Sequence, residues 1–292
     1  MSTLTTVPSL ESTYFSGTLL QLYSQPPPDC PENTEAFYEE NAFIMTEIAD
    51  RLDASIARSV PVPPRSLNVS IVLDKRLLCS TRRITHVWTA HVQNSSSKAT
   101  YPLTLVAKIY DPVYFGEVDV FDPFVLLDSS VSLEPQSYQR LQSLYGAKVP
   151  RFYGHFVAPL PSQRNRTVNV VLMEYIHGRD IRDLATQEKA GALCPTHKDT
   201  LIDAALRLYF GIYALGVEQK DMQPRNVILR PRRKDGPFCS TTGCPLRYEA
   251  DCKDMQMTMV DFEWVKFRNP DGQFSDPVTQ MAHVEGIKPL YH

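Results

Sequence analysis

The chain has 292 residues, 43% of them apolar and 22% charged, with a formal net charge of −3. That length and apolar content suffice for a sizeable core, and so mild a charge balance excludes the general basic field of a nucleic-acid-binding protein. No run approaches the ~18 apolar residues of a membrane span, and residues 1–23 lack a basic start followed by an apolar core, so no membrane association is expected and the expected compartment is cytoplasmic or nuclear.

In chain order, residues 1–31 contain Pro26-Pro-Pro28 and many Ser and Thr, which favours an extended or disordered N-terminal arm. Thr34 suits a helix N-cap, and Phe37, Ile44, Ile48, Leu52 and Ile56 then recur at three-to-four-residue spacing as the apolar face of a helix. Pro61-Val-Pro-Pro64 ends it, so residues 32–66 read as a helix and Pro-rich linker that packs on the domain of residues 67–292. Ile71–Leu78 and His86–Val92 read as strands, joined by a turn, Cys79–Thr85, that has no glycine. A third β-type run, Leu103–Ile109, carries Lys108, and a helix is expected over Leu133–Leu141 with Pro135 holding Glu134 in its first turn. Leu201, Ala205, Leu208, Ile212 and Leu215 mark one face of a helix over Thr200–Leu215, which Gly216 stops. Val227-Ile-Leu229 and Met257–Val260 form a hairpin around an exposed excursion of about residues 230–256. Within it, Arg230-Pro-Arg-Arg-Lys234 reads as a solvated basic cluster. After Trp264 the chain is polar, with a turn at Asn269–Gly272 and a weak helical pattern at Val278, Met281 and Val284.

Six cysteines dispersed over so long a chain are expected to be reduced thiols. Cys239, Cys244 and Cys252 are spaced by five and eight positions, which does not match paired CxxC zinc knuckles, and no His lies in their loop. Lone histidines such as His155 and His177 read as structural, and Tyr209 and Tyr213 as core.

The chemistry concentrates in Gly216–Asn226, where Asp221 and Asn226 stand five positions apart. A carboxylate there can orient a hydroxyl and accept its proton, while an amide oxygen can hold magnesium near phosphates. Asp261 ends the apolar run Met257–Val260, a second metal-ligand position, and Lys108 lies within a strand from which it can reach α/β-phosphates. Each residue alone has a structural explanation: a snorkelling lysine, a turn former, a loop cap. Together, in this order, they read as parts of a phosphotransferase.

In these residues the chain resembles the protein kinase-like superfamily, in particular short fungal kinase-like proteins related to aminoglycoside phosphotransferases. The resemblance runs from about Ser70 to Trp264. It implies an α+β, two-lobed protein kinase-like fold with a truncated C-terminal lobe, the small lobe at about 67–173 and the large lobe at about 174–292. It further implies Glu134 as the partner of Lys108, and a connector whose backbone at Glu174 and Ile176 receives adenine in an interlobe cleft. ATP and Mg2+ are the implied cofactors, with Asp221 catalytic and Asn226 and Asp261 holding metal. Three departures stand out: the glycine-free turn, Gln219 where such families carry a His behind the catalytic loop, and Glu263 where a Gly usually follows Asp-Phe. Only 31 residues follow Asp261, too few for a peptide-docking platform, so the expected phosphate acceptor is a small molecule or an unusually docked protein. The alternative reading is a catalytically inactive pseudokinase, serving as a nucleotide-binding or scaffolding interaction module.

Overall fold

A computed structural model of the chain describes residues 9, 13–29, 48–62, 68–77, 85–95, 100–115, 122–233 and 239–269. The expected N-cap at Thr34, the turn within 78–84, and the turn and helix after Asn269 lie outside the described residues. The chain divides into two compact units, the first comprising Met1–Gln136 with Phe152–Tyr175 and the second Ser137–Arg151 with Ile176–His292.

Unit 1 is built on six antiparallel strands: β1 (Leu19–Ser24), β2 (Asn68–Arg76), β3 (Thr85–Ser95), β4 (Leu105–Tyr110), β5 (Phe152–Leu160) and β6 (Arg166–Glu174). They close a barrel in the order β1-β2-β3-β4-β6-β5. Alternation along each strand fills its interior, with Leu20 and Leu22 of β1, Ile71 and Leu73 of β2, Ala107 and Ile109 of β4 and Val168, Val170 and Leu172 of β6 in one buried cluster. The sequence places residues 1–31 in an arm outside the domain, and here it is corrected: Leu19–Ser24 is a barrel strand, pairing with β2 at Leu20↔Ile71 and with β5 at Tyr23↔Val157. Local composition favoured an arm, but six-strand closure needs β1, because a five-stranded sheet would leave two open edges. Helix α1 (Ile48–Ala57) is the described part of the expected N-terminal helix, with Leu52 buried.

Helix α2 (Pro123–Arg140) begins ten residues before the expected start. Asp122 caps it, its carboxylate accepting from the Phe124 N–H at 2.7 Å. Glu134 and Pro135 therefore lie in the helix interior, not in its first turn, a correction the Asp122-Pro123 signal could have supplied.

A buried polar network ties the chain segments of unit 1 together. The Arg166 guanidinium donates to both carboxylate oxygens of Asp111, at 3.0 and 2.7 Å, to Gln163 at 2.6 Å and to Ser55 at 3.3 Å. The same carboxylate accepts from the Tyr14 hydroxyl at 2.7 Å and the Val113 N–H at 3.1 Å. Both members of the ion pair are fully buried, at 0% side-chain exposure. Removing one partner would leave an uncompensated interior charge, whereas with both present each guanidinium nitrogen of Arg166 donates at least one hydrogen bond.

Unit 2 contains helices α3 (Gln187–Ala192) and α4 (Pro195–Tyr213) and short strands β7 (Arg179–Asp180), β8 (Val217–Gln219), β9 (Val227–Leu229), β10 (Met257–Met259) and β11 (Val265–Phe267). Leu201, Ala205, Leu208 and Ile212 of α4 are buried, the face expected from their spacing. Gly216 follows with φ +77°, a left-handed turn that glycine adopts without strain. The excursion between β9 and β10 is not simply exposed. Cys239, Cys244, Leu246, Ala250 and Met255 are all buried, so this segment carries its own small core. Turn-forming composition suggested surface, and packing against α4 overrides it: the Thr200 hydroxyl donates to the Cys252 carbonyl at 3.0 Å.

Two predictions follow from the buried groups of unit 1. Asp111→Ala should lower the stability of unit 1 by about 3–5 kcal/mol in denaturant titration, because it strands Arg166, and the double change Asp111→Leu with Arg166→Met should cost less than the single one. His86, with neither ring nitrogen partnered among the described residues, has its pKa driven down to about 4, chiefly by burial. Its folded-state pKa lies below that of free histidine, so between about pH 6.5 and 4 the unfolded chain binds a proton that the folded chain refuses. Stability from this group is therefore complete above pH 6.5 and lost as pH falls, by about 2–3 kcal/mol at pH 4.5. Compared with His86→Phe, which keeps the ring contacts with Tyr14 and Tyr114, the unmodified chain should show that much steeper a loss between pH 7 and 4.5.

Candidate functional site

Two ladders of unit 2 bring Asp221, Asn226 and Asp261 onto neighbouring loops. The segment Lys220–Asn226 connects β8 to β9, and Val260–Trp264 connects β10 to β11. Strand β8 pairs with β11, Val265 opposite Gln219, while β9 pairs with β10, Val227 opposite Met259. Both loops are thus closed by the same two ladders and face each other. Further backbone bonds fasten them: Val260 N–H to the Asn226 carbonyl at 2.8 Å and Lys220 N–H to the Trp264 carbonyl at 3.0 Å.

Between the loops sits Gln219, 4% exposed. Its amide oxygen accepts from the Asp221 N–H at 3.1 Å, and its amide nitrogen donates to the Asp261 carbonyl at 2.6 Å. One side chain thereby holds both aspartates by their backbones. The amide orientation follows from chemistry, since only this assignment matches a donor N–H on one side and an acceptor C=O on the other.

Asp261 has φ +69°, a left-handed conformation uncommon outside glycine and tolerated best by Asp and Asn. Strain of order 1–3 kcal/mol at such a position persists only where surrounding contacts over-determine the backbone. Here those contacts are the Gln219 bond on its carbonyl and the next residue, Phe262, fully buried and edge-on to Tyr138 with ring centroids 5.2 Å apart. The backbone must turn at Asp261 to bury Phe262 while the preceding strand remains in its ladder.

Within the first loop, the Asn226 amide nitrogen donates to the Asp221 carbonyl and to its Oδ2, each at 3.0 Å. Arg225 also donates to Asp221 Oδ2, at 2.7 Å. Asn226 is buried to 3% exposure, and with its amide hydrogens committed, its side-chain oxygen is the group left to act as a ligand. Both of these side-chain contacts to the Asp221 carboxylate fall on Oδ2 rather than Oδ1. Arg225 had drawn no attention in the sequence, although its i,i+4 spacing from Asp221 was the available signal.

In unit 1, Lys108 lies on β4 between Ala107 and Ile109, which face the barrel core, so Lys108 and Tyr110 share the opposite face. Lys108 Nζ stands 2.8 Å from Glu134 Oε2, with side-chain exposures of 6% and 0%. The Tyr110 hydroxyl donates to the same carboxylate oxygen. Lys108 Nζ also lies 5.7 Å from the Tyr110 ring centroid. With both side chains buried, removing either would strand the other.

Of the remaining sequence-expected positions, Glu174 ends β6 opposite Leu105, and Ile176 is buried at 8% exposure in unit 2. His155 is buried, hydrogen-bonded to Asn169 at 3.0 Å, with its pKa lowered mainly by desolvation, which suits a structural role. Arg233 of the basic cluster pairs with Asp254 at 2.9 Å across an exposed surface.

No protein-family model matches the chain, and no curated protein matches it. Among solved structures, it is similar to WaaP in complex with acyl carrier protein, with a TM-score of 0.42 and 11% identity over 90% of this chain and 78% of that one. It is also similar to the kinase domain of PknI from Mycobacterium tuberculosis in a double-mutant form, with a TM-score of 0.33 and 14% identity over 66% of this chain and 60% of that one. No described helix is long and apolar enough to cross a membrane.

Gln219→Leu keeps the volume but leaves the Asp221 N–H and the Asp261 carbonyl without their partner. The loss expected for unit 2 in urea titration is about 1–3 kcal/mol, the cost of leaving buried polar groups unsatisfied, and Gln219→His, which can still donate, should lose less.

Proposed function

We propose that the chain is a phosphotransferase of the kinase-like superfamily, two-lobed and related to the aminoglycoside phosphotransferases, that uses ATP and magnesium. The observation that carries this reading is the joining of Asp221 and Asp261 through one buried glutamine, with the Asn226 amide hydrogens turned onto Asp221. Oxygen donors from an amide and a carboxylate are hard ligands, the type magnesium takes alongside phosphates and water. Asn226 and Asp261 would hold that ion, which supplies charge neutralisation for the phosphates when bound.

The chain's own groups have distinct tasks in this proposal. Asp221 Oδ1 accepts the hydrogen of an acceptor hydroxyl, orienting its oxygen for attack, while the bonds from Arg225 and Asn226 to Oδ2 keep the carboxylate from rotating. Lys108, held upright by Glu134, presents a positive charge for the α/β-phosphates, and the backbone at Glu174 and Ile176 takes the adenine edge. The acceptor is a small molecule or protein bearing a hydroxyl.

Millimolar Mg-ATP should raise the melting temperature, with a stabilisation of about 2.7 kcal/mol at one hundred times Kd. Asp221→Asn should retain that shift and lose phosphoryl transfer or ATP hydrolysis, because the amide keeps the shape but has no affinity for the proton. Asp261→Asn should lose the magnesium-dependent part of the shift as well. Turnover at the unmodified rate in Asp221→Asn would refute its assignment, and an unmodified chain that binds Mg-ATP without turnover would instead assign the interaction-module reading.

A further inference from the structure

Away from these residues, the N-terminus of α4 and the excursion between β9 and β10 place three thiols and an imidazole around one point. Cys194, His197, Cys239 and Cys244 are all buried, and their ligand atoms all lie within 4.8 Å of one another. Cys194 Sγ is 3.4 Å from Cys239 Sγ and 3.4 Å from His197 Nδ1, and His197 Nδ1 is 3.2 Å from Cys244 Sγ. In a tetrahedron with Zn–S of about 2.3 Å and Zn–N of about 2.0 Å, neighbouring ligand atoms stand about 3.5–3.8 Å apart. The observed separations are close to those edges and far too long for a disulfide, whose sulfurs lie about 2.05 Å apart.

The surroundings already select the ligand forms. His197 Nε2 lies 3.4 Å from the Ala250 carbonyl, so Nε2 carries the proton and Nδ1 presents its lone pair towards the sulfurs. Backbone N–H groups donate to two of the sulfurs, His197 to Cys194 at 3.4 Å and Thr241 to Cys239 at 3.2 Å, as suits thiolates. We propose that Cys194, His197, Cys239 and Cys244 bind one zinc ion in a closed four-coordinate site. Three thiolates and one imidazole suit zinc, and four protein ligands leave no open position for chemistry, so the site is structural. It pins the excursion to the start of α4, the helix that leads directly into the Asp221 loop. The pair reads in sequence as C-x2-H followed after a gap by C-x4-C; the His omitted from the loop is supplied by the helix.

The test uses the full chain purified under reducing conditions. Elemental analysis should find about one zinc per chain, and X-ray absorption should show three sulfurs and one nitrogen around it. Cys239→Ser and Cys244→Ser should each lower the zinc content at least tenfold, while Cys252→Ser, outside the cluster, should keep it at one. Because a substituted chain could fail to fold, the unmodified chain is also stripped with a chelator and titrated with Co2+, which should give the visible absorption of tetrahedral thiolate-bound cobalt at one equivalent. A chain that contains no zinc and yields no such absorption overturns the proposal, as does a Cys194–Cys239 disulfide in the freshly purified protein or full zinc content in both serine variants. None of these readouts depends on ATP or on turnover.

Discussion

The arrangement of unit 2 turns on the side-chain amide of Gln219. An amide is one of the few neutral groups able to accept on one side and donate on the other, and the two loops offer it a backbone N–H and a backbone carbonyl respectively. The strand ladders set the approach of the loops, but ladders alone leave loop tips free to drift. A buried amide that satisfies both tips converts that approach into a fixed separation, and at 4% exposure water competes poorly for either bond. The left-handed Asp261 backbone depends on it most directly, since its carbonyl is one of the two groups held. An imidazole at this position could meet the same demand only in one tautomer.

Two buried ion pairs among the described residues of unit 1 solve the same desolvation problem differently. The Arg166–Asp111 pair is bidentate and surrounded by Tyr14, Val113, Gln163 and Ser55, so it is a structural tie between segments that lie far apart along the chain. The pair made by Lys108 and Glu134 joins one strand and one helix through a compact ammonium, with Tyr110 on the same carboxylate. A planar guanidinium suits permanent bidentate pairing, whereas an ammonium is a point charge that phosphate oxygens can also meet. The proposed roles follow that chemistry: Arg166 holds the barrel together, and Lys108 serves a nucleotide.

The buried cysteines and His197 add a third kind of constraint. A helix and a long excursion, each marginal alone, meet at four ligand atoms, and the small core of Leu246, Ala250 and Met255 packs beside them. Zinc there would compensate for the entropy of closing a long loop, whose cost grows only slowly with its length. The Asp221 loop would then be held from two directions, by the Gln219 side chain and by α4, which leads into it.

Local pattern alone determined much of this protein. The strand around Lys108, the buried face of α4, the stop at Gly216 and the pairing of Val227–Leu229 with Met257–Met259 follow from periodicity and turn chemistry, which act over a few residues. The grouping of Asp221 with Asn226 was equally legible, because both lie in one short loop. Tertiary structure decided what depends on contacts between distant segments. Leu19–Ser24 became a barrel strand because closure needed a sixth member, and α2 began at Pro123 because Asp122 caps it there. Cys194 and His197 joined Cys239 and Cys244 across more than forty positions. Spacing rules that look within one loop could not see that meeting, since ligand geometry is set by where the backbone travels in space and not by the count of residues between donors.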